Sequence, residues 1–108
     1  MPGSLYDAFR LGVLISRLYE LNPEDLKVLM RYGTVPTDAI ANTLDGLETK
    51  YAYLLTEEEH SIFREIIDLL NQVNEHLLRG ETPPSELVAQ VERKIRELLT
   101  KIDTKLPQ

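Results

Sequence analysis

Glu57 and His60 are the residues whose types and spacing come nearest to a known chemistry. They lie three apart in the segment LLTEEEHSIF, residues 54–63, and Glu-x-x-His is the motif with which helical di-iron proteins hold metal. Such a site also requires a second Glu-x-x-His and two further carboxylates. The other histidine, His76, follows Val73 by three residues, and about 24 Å of helix would separate the two histidines. A metal or redox site therefore remains only as an alternative in which a second subunit completes it.

The same segment has a simpler interpretation as the start of a helix. Thr56 followed by Glu59 is a capping box, in which each side chain bonds to the backbone N–H of the other residue. Three glutamates in a first turn also suit the positive end of the helix dipole. We therefore expect His60 to be a structural residue, and we expect the protein to bind no metal or other cofactor.

Other catalytic groups are scarce. The chain contains no cysteine, which excludes a disulfide scaffold, a thiolate zinc site and a cysteine nucleophile. The two histidines lie outside any recognisable nucleophile motif, and the five glycines form no phosphate-binding loop. Acidic pairs such as Glu92 with Glu97 are typical of a solvated helix face. We therefore predict no catalytic residues and no enzymatic activity.

Residues 25–55 suggest an alternative function as a small DNA-binding regulator. They have the order of a helix-turn-helix, with Gly46 as the turn before a reading helix. Phosphate contacts need basic groups, and between residues 24 and 55 five acidic residues outnumber the bases, which are Lys27, Arg31 and Lys50. The apolar stripe also continues across Gly46, which favours one unbroken helix. The sequence therefore disfavours nucleic acid as a partner.

The only basic cluster in the sequence is a candidate surface for an acidic partner. It comprises residues 93–96, with Lys101 and Lys105 beyond them. Their spacing scatters the charges around a helix, and a glutamate precedes both Arg96 and Lys101 by the four residues of a stabilising ion pair. Positive charge near a helix C-terminus is also favourable. A solvated helix face accounts for the cluster without a partner.

Length and apolar periodicity define the architecture. The chain has 108 residues, 43% of them hydrophobic, and a net charge of −6, which fits a single domain over residues 1–108. The periodicity is helical throughout. The breaks fall at Asn22-Pro23, at residues 33–36, at Thr56 and at residues 79–84. They divide the chain into helices over roughly residues 4–21, 23–32, 37–55, 57–79 and 84–105. We therefore predict an all-α fold, a small bundle of about five helices whose last two form a long antiparallel hairpin.

The first helix differs from the others because its apolar residues point in nearly every direction. Such a helix must be buried on most sides, either by its own domain or by another subunit. Ala8, Gly12 and Ser16 are spaced by four, so they lie on one face and would let another helix approach closely. That helix belongs either to the same chain or to the second copy in a dimer. The spacing does not decide between them.

These observations predict the function as a small helical protein–protein interaction or assembly subunit without catalytic activity. Its expected partners are a second copy of itself, as a homodimer, and another protein. The longest apolar stretch, residues 11–15, is too short to span a bilayer, so we expect no membrane contact and a cytoplasmic location. The expected association surface lies on the first helix and comprises Leu5, Ala8, Phe9, Leu11, Gly12, Ile15, Ser16, Leu18 and Tyr19.

Overall fold

The computed structural model describes residues 5–31 and 37–106, and within them every regular element is a helix. The predicted all-α class is thereby confirmed. The elements are α1 (Leu5–Tyr19), α2 (Pro23–Arg31), α3 (Thr37–Lys50), a 3₁₀ turn (Ala52–Leu54), α4 (Glu57–Leu78) and α5 (Ser85–Asp103). The break predicted at residues 33–36 lies outside the described residues.

The start and end of α4 follow from local sequence signals. The predicted capping box is confirmed: the Thr56 hydroxyl accepts from the Glu59 N–H at 3.2 Å, and the Glu59 carboxylate accepts from the Thr56 N–H at 2.9 Å. At the other end Gly80 has φ +74°, a conformation that glycine adopts without steric cost. The N–H of Glu81 donates to the His76 carbonyl at 2.9 Å, which caps the last turn.

The third helix runs without a break through Gly46 but ends at Lys50, earlier than predicted. The chain then passes through Tyr51 into the 3₁₀ turn, in which the Leu54 N–H donates to the Tyr51 carbonyl at 2.9 Å. Tyr51 and Leu54 are nevertheless buried. Their apolar spacing therefore predicted inward-facing side chains correctly, but it could not distinguish an α-helical turn from a tighter one.

The first helix also ends earlier than predicted, because the chain turns after Tyr19. The N–H groups of Leu21 and Asn22 close this turn by donating to carbonyls three residues back, each at 3.1 Å. Asn22 has φ +39°, and asparagine tolerates this left-handed region better than most residues. Its side-chain amide donates to the Asp25 carboxylate at 2.8 Å, which helps to fix the start of α2.

The core forms around α5. Helices α1, α2 and α4 all pack against α5, while α3 packs against α4. The fully buried side chains come from every helix and include Leu11, Leu14, Leu18, Met30, Leu44, Phe63, Ile66, Leu70, Val73, Val91 and Ile102. Because α1 has α5 as its principal neighbour, one side of α1 is buried and the opposite side is left exposed.

Candidate protein-interaction surface

One face of α1 lies in the core and the opposite face lies in solvent. Leu11, Leu14 and Leu18 are completely buried, and their spacing of three and four places them on one stripe. Leu5 and Phe9, one turn apart on the other side, are 89% and 69% exposed. A single neighbouring helix covers a single face, so the apolar residues beyond its reach remain outside.

The structure divides the nine residues of the expected association surface. Three of them, Leu11, Ile15 and Leu18, belong to the core. They cannot contact another molecule unless α1 leaves its own bundle. The exposed members are Leu5, Phe9, Ser16 and Tyr19, and Ala8 and Gly12 are half-buried between them. The outward surface is therefore smaller than the expected set.

Gly12 has open space beside it. A Cβ atom added at this position would meet no atom of the described residues within 4 Å. The interpretation that Gly12 allows another helix of the same chain to approach closely is therefore wrong for the described residues, because none of their atoms packs against it. Gly12 and Ser16 instead form a shallow, small-residue strip between the exposed Phe9 and Tyr19.

This surface also includes Tyr6, Arg10 and Tyr53. The sequence analysis predicted none of these three residues. The guanidinium of Arg10 lies 5.8 Å from the ring centroid of Tyr6, 5.7 Å from that of Tyr53 and 4.8 Å from that of the buried Tyr51. It also donates to the Tyr6 hydroxyl at 3.3 Å, and this hydrogen bond raises the pKa of Arg10. Tyr6 and Tyr53 are mostly exposed. Only a folded chain brings the 3₁₀ turn to α1, so spacing along the sequence gave no signal for the cluster.

His60 is held at both ring nitrogens. Its Nδ1 lies 2.9 Å from the Glu48 carboxylate, and its Nε2 lies 3.3 Å from the Ala52 carbonyl oxygen. Arg64 pairs with the same Glu48 and with Asp45, and the hydrogen bond to Asp45 raises the pKa of Arg64. His60 therefore fastens α4 to the end of α3 and to the 3₁₀ turn.

The arrangement around His60 does not resemble a metal site or a nucleophile with its base. Glu57 points into solvent, and in the described ranges no three histidine or acidic side chains are grouped as metal ligands. The open depression beside His60 contains one hydroxyl, that of Thr49, and it donates to the Asp45 carbonyl at 3.0 Å. The polar groups at this corner are thus engaged with one another.

The geometry of residues 25–55 differs from a helix-turn-helix. Helix α2 packs mainly against α5, whereas α3 packs mainly against α4, so the two helices do not form the compact pair that the motif requires. Because α3 continues through Gly46 to Lys50, no separate reading helix begins after Gly46. This arrangement gives the DNA-binding alternative no support.

Each basic residue of the cluster on and after α5 has a carboxylate partner. Arg93 pairs with Glu86 at 3.1 Å. Arg96 pairs with Glu92 at 3.8 Å, the four-residue pair that the sequence predicted. The predicted pair of Lys101 with Glu97 is not formed, because Lys101 pairs with Glu58 at 2.8 Å and Glu97 pairs with Lys94. Two further contacts between elements were not predicted, namely Lys94 with Glu65 at 2.9 Å and Lys105 with Glu59 at 2.7 Å. The cluster therefore stabilises the bundle.

The outward part of α1 is thus the main group of large apolar side chains that the described residues leave uncovered. Elsewhere, no buried side-chain nitrogen or oxygen of those residues lacks a hydrogen-bond partner. None of their helices combines the length and apolarity that crossing a bilayer requires.

Comparisons with protein-family models, with curated proteins and with solved structures gave no match.

Proposed function

We propose that this protein is a non-catalytic assembly subunit that binds a second copy of itself through the outward surface of α1. This surface, called the α1 face below, consists of Leu5, Tyr6, Phe9, Arg10, Gly12, Ser16, Tyr19 and Tyr53. The observation that carries the proposal is the exposure of Leu5 and Phe9, at 89% and 69%. Burying a side chain of this size contributes about 1.5–3 kcal/mol, so a partner that covers both gains substantial free energy.

The composition of the α1 face supports binding to protein. Tyrosine and arginine are enriched among the residues that dominate protein–protein binding energy. Here Arg10 is already positioned by its hydrogen bond to Tyr6 and by its contacts with the rings of Tyr51 and Tyr53. A side chain that is fixed before binding loses less conformational freedom on binding. The surface thus combines apolar area with a pre-ordered polar anchor.

The available area is also of the right order for a dimer. Four aromatic side chains of the α1 face are exposed by between 55% and 69%, namely Tyr6, Phe9, Tyr19 and Tyr53. With about 150–250 Å² for each aromatic side chain, they and Leu5 offer roughly 500–700 Å² per copy. A standard stable interface buries about 800 Å² on each partner. Contacts at the rim of the surface would supply the difference.

The supporting scaffold in this proposal is one domain, a five-helix bundle whose last two helices form an antiparallel hairpin. Two ion pairs support the hairpin. Glu58 of α4 pairs with Lys101 of α5, and Glu65 pairs with Lys94. The residue numbers rise along α4 while they fall along α5, as they do between antiparallel helices. A rigid scaffold of this kind would hold the α1 face in one orientation.

Sedimentation with circular dichroism over a concentration series tests the proposal. We expect wild-type protein to be a dimer at tens of micromolar, a range in which an interface of about −8 kcal/mol is mostly occupied. Changing Leu5 and Phe9 together to glutamate should give a helical monomer, because both side chains are exposed. Changing the buried Leu11 and Leu18 to glutamate should instead abolish helicity.

Leu78 provides the matched control. It is 78% exposed in the last turn of α4, so Leu78→Glu changes an equally accessible leucine outside the α1 face. We expect this variant to remain a dimer. A folded wild-type monomer at these concentrations, or a dimer that survives the Leu5 and Phe9 changes, would overturn the proposal. Capture of a different protein on the α1 face by a monomeric wild type would identify another partner and would also overturn the self-association.

A further inference from the structure

We infer that two copies pair antiparallel along α1, with Leu5 of one copy opposite Tyr19 of the other. This inference rests on the proposed self-association and adds the orientation of the two copies. It is carried by two features of the α1 face, namely the positions of its large exposed residues and the opposite charges at its two ends.

The large exposed residues are placed symmetrically along α1. Leu5 and Tyr19, 89% and 55% exposed, are each seven residues from Gly12, which corresponds to about 10.5 Å of helix on either side. In an antiparallel pair that crosses at Gly12, Leu5 therefore lies level with Tyr19 of the other copy. The Phe9 ring falls near the small Ser16 of the other copy, where the surface leaves room for it.

The two ends of α1 carry different charges. In the N-terminal half of α1, Arg10 donates to the Tyr6 hydroxyl. The ammonium of Lys50 is close by, 5.6 Å from the ring of Tyr51 on which Arg10 also stacks. Asp7 is the acidic residue of α1 at this end.

At the C-terminal end the exposed charges beyond the helix are acidic. Glu20 follows α1 directly, and Asp25 lies in the first turn of α2. The amide of Asn22, which is uncharged, is the hydrogen-bond donor to Asp25. Arg17 lies in the last turn of α1, where it suits the helix dipole.

Antiparallel pairing brings these unlike ends together. Glu20 of one copy then lies level with the N-terminal end of α1 in the other copy, where the helix dipole stabilises a carboxylate. Parallel pairing would instead place Glu20 beside Glu20 of the second copy, and like charges repel. It would also align the two helix dipoles side by side in the same direction.

Introduced thiols test the orientation, because the chain has no cysteine of its own. Leu5→Cys and Tyr19→Cys proteins are mixed and treated with a short bismaleimide, and each protein is also treated alone. Adjacent thiols in a dimer have an effective concentration of about millimolar, so the mixture should cross-link about a hundredfold faster than micromolar proteins that collide at random. Leu5→Cys alone should react slowly, because about 21 Å of helix separates the two Leu5 positions in an antiparallel pair.

Two controls keep the test decisive. Leu78→Cys has a thiol of similar exposure outside the α1 face and gives the random rate. Ala8→Cys mixed with Ser16→Cys repeats the experiment with small side chains that are also level in an antiparallel pair, in case the loss of Leu5 weakens association. Rapid cross-linking of both mixtures supports the inference.

The outcomes also separate this inference from the function on which it rests. Rapid cross-linking of Leu5→Cys alone would overturn the antiparallel arrangement in favour of a parallel one. A dimer in which neither mixture exceeds the random rate would overturn the orientation but leave self-association intact. A wild-type monomer by sedimentation would overturn the self-association and the orientation together.

Discussion

The Nζ atom of Lys105 lies 2.7 Å from the Oε1 atom of Glu59, and Glu59 is only 4% exposed. The same carboxylate oxygen accepts the backbone N–H of Thr56 at 2.9 Å, as part of the capping box. The Lys105 ammonium also donates to the Leu54 carbonyl. A helix cap and a buried ion pair thus share one carboxylate, which joins the chain after α5 to the start of α4.

This arrangement predicts that Lys105 contributes much more to stability than its position after the last helix suggests. Lys105→Met should lower the free energy of unfolding by about 3 kcal/mol, because Glu59 would remain buried without its countercharge. Combining this change with Glu59→Gln should recover most of the loss, since glutamine can still complete the capping box without a charge. Urea unfolding followed by circular dichroism compares both variants with the wild type.

Lys101→Met is the matched control for this prediction. Lys101 pairs with Glu58, which is largely exposed, and exposed ion pairs contribute about 0–1 kcal/mol. An equal loss of stability in the Lys101 and Lys105 variants would show that burial of Glu59 has no special energetic consequence.

His60→Ala should lower the free energy of unfolding by about 1–2 kcal/mol, because it removes the ring whose nitrogens contact the Glu48 carboxylate and the Ala52 carbonyl. Thr56→Ala should cost about 1 kcal/mol through the lost cap. His76→Gln is the control, because His76 bonds to the exposed Glu81. Thermal and urea unfolding of the three variants provide the comparison. A His60→Ala protein as stable as wild type would contradict a structural role for the imidazole.

The carboxylate of Glu81 should titrate below the usual range for glutamate. The hydrogen bond from His76, followed by that from Arg79, lowers the pKa of Glu81. Because this pKa is lower in the folded than in the unfolded state, the ionised Glu81 carboxylate stabilises the fold. This stabilisation is complete above the pKa of the unfolded state and is lost as the pH falls through the pKa of the folded state. NMR of the Glu81 side-chain carboxyl group across an acid titration measures this pKa. Replacing His76 should move the pKa upwards more than replacing Arg79, and the reverse order would contradict the geometry at this turn.

Binding to random duplex DNA should be no tighter than micromolar at physiological salt, because a net charge of −6 opposes contact with phosphates. Fluorescence anisotropy with a labelled duplex over a salt series measures it. Selection of a specific DNA site whose affinity is lost in Lys50→Glu would contradict this expectation and favour the regulator alternative.

The sequence predicted best those features that depend on neighbouring residues. The Thr56–Glu59 capping box and the Glu92–Arg96 pair each lie within one or two helical turns, and both are present. The partners of Lys101 and Lys105 were not predictable in this way. Local spacing and the helix dipole explain why lysines are favourable near the end of α5, but only the fold determines that the start of α4 lies beside them.

Local sequence patterns also predicted only part of the candidate surface on α1. Leu5 and Leu11 are the same residue type in one helix, yet one is exposed and the other fully buried. The sequence indicates that α1 has more apolar residues than one neighbour can cover, and it separates the Leu5–Phe9 side from the Leu11–Leu18 side by helical geometry. Which side faces inward depends on where α5 lies. The contribution of Tyr53 depends on the packing of a turn far along the chain.

The packing of α1 and α2 against α5 has a consequence during synthesis. The ribosome adds about 5–20 residues per second, so several seconds pass between the completion of α1 and the emergence of α5. Throughout that interval Leu11, Leu14 and Leu18 have no α5 to cover them, although they are fully buried in the finished protein. A nascent chain that stops before Ser85 therefore exposes apolar residues on both sides of its first helix, and transiently exposed apolar surface favours aggregation.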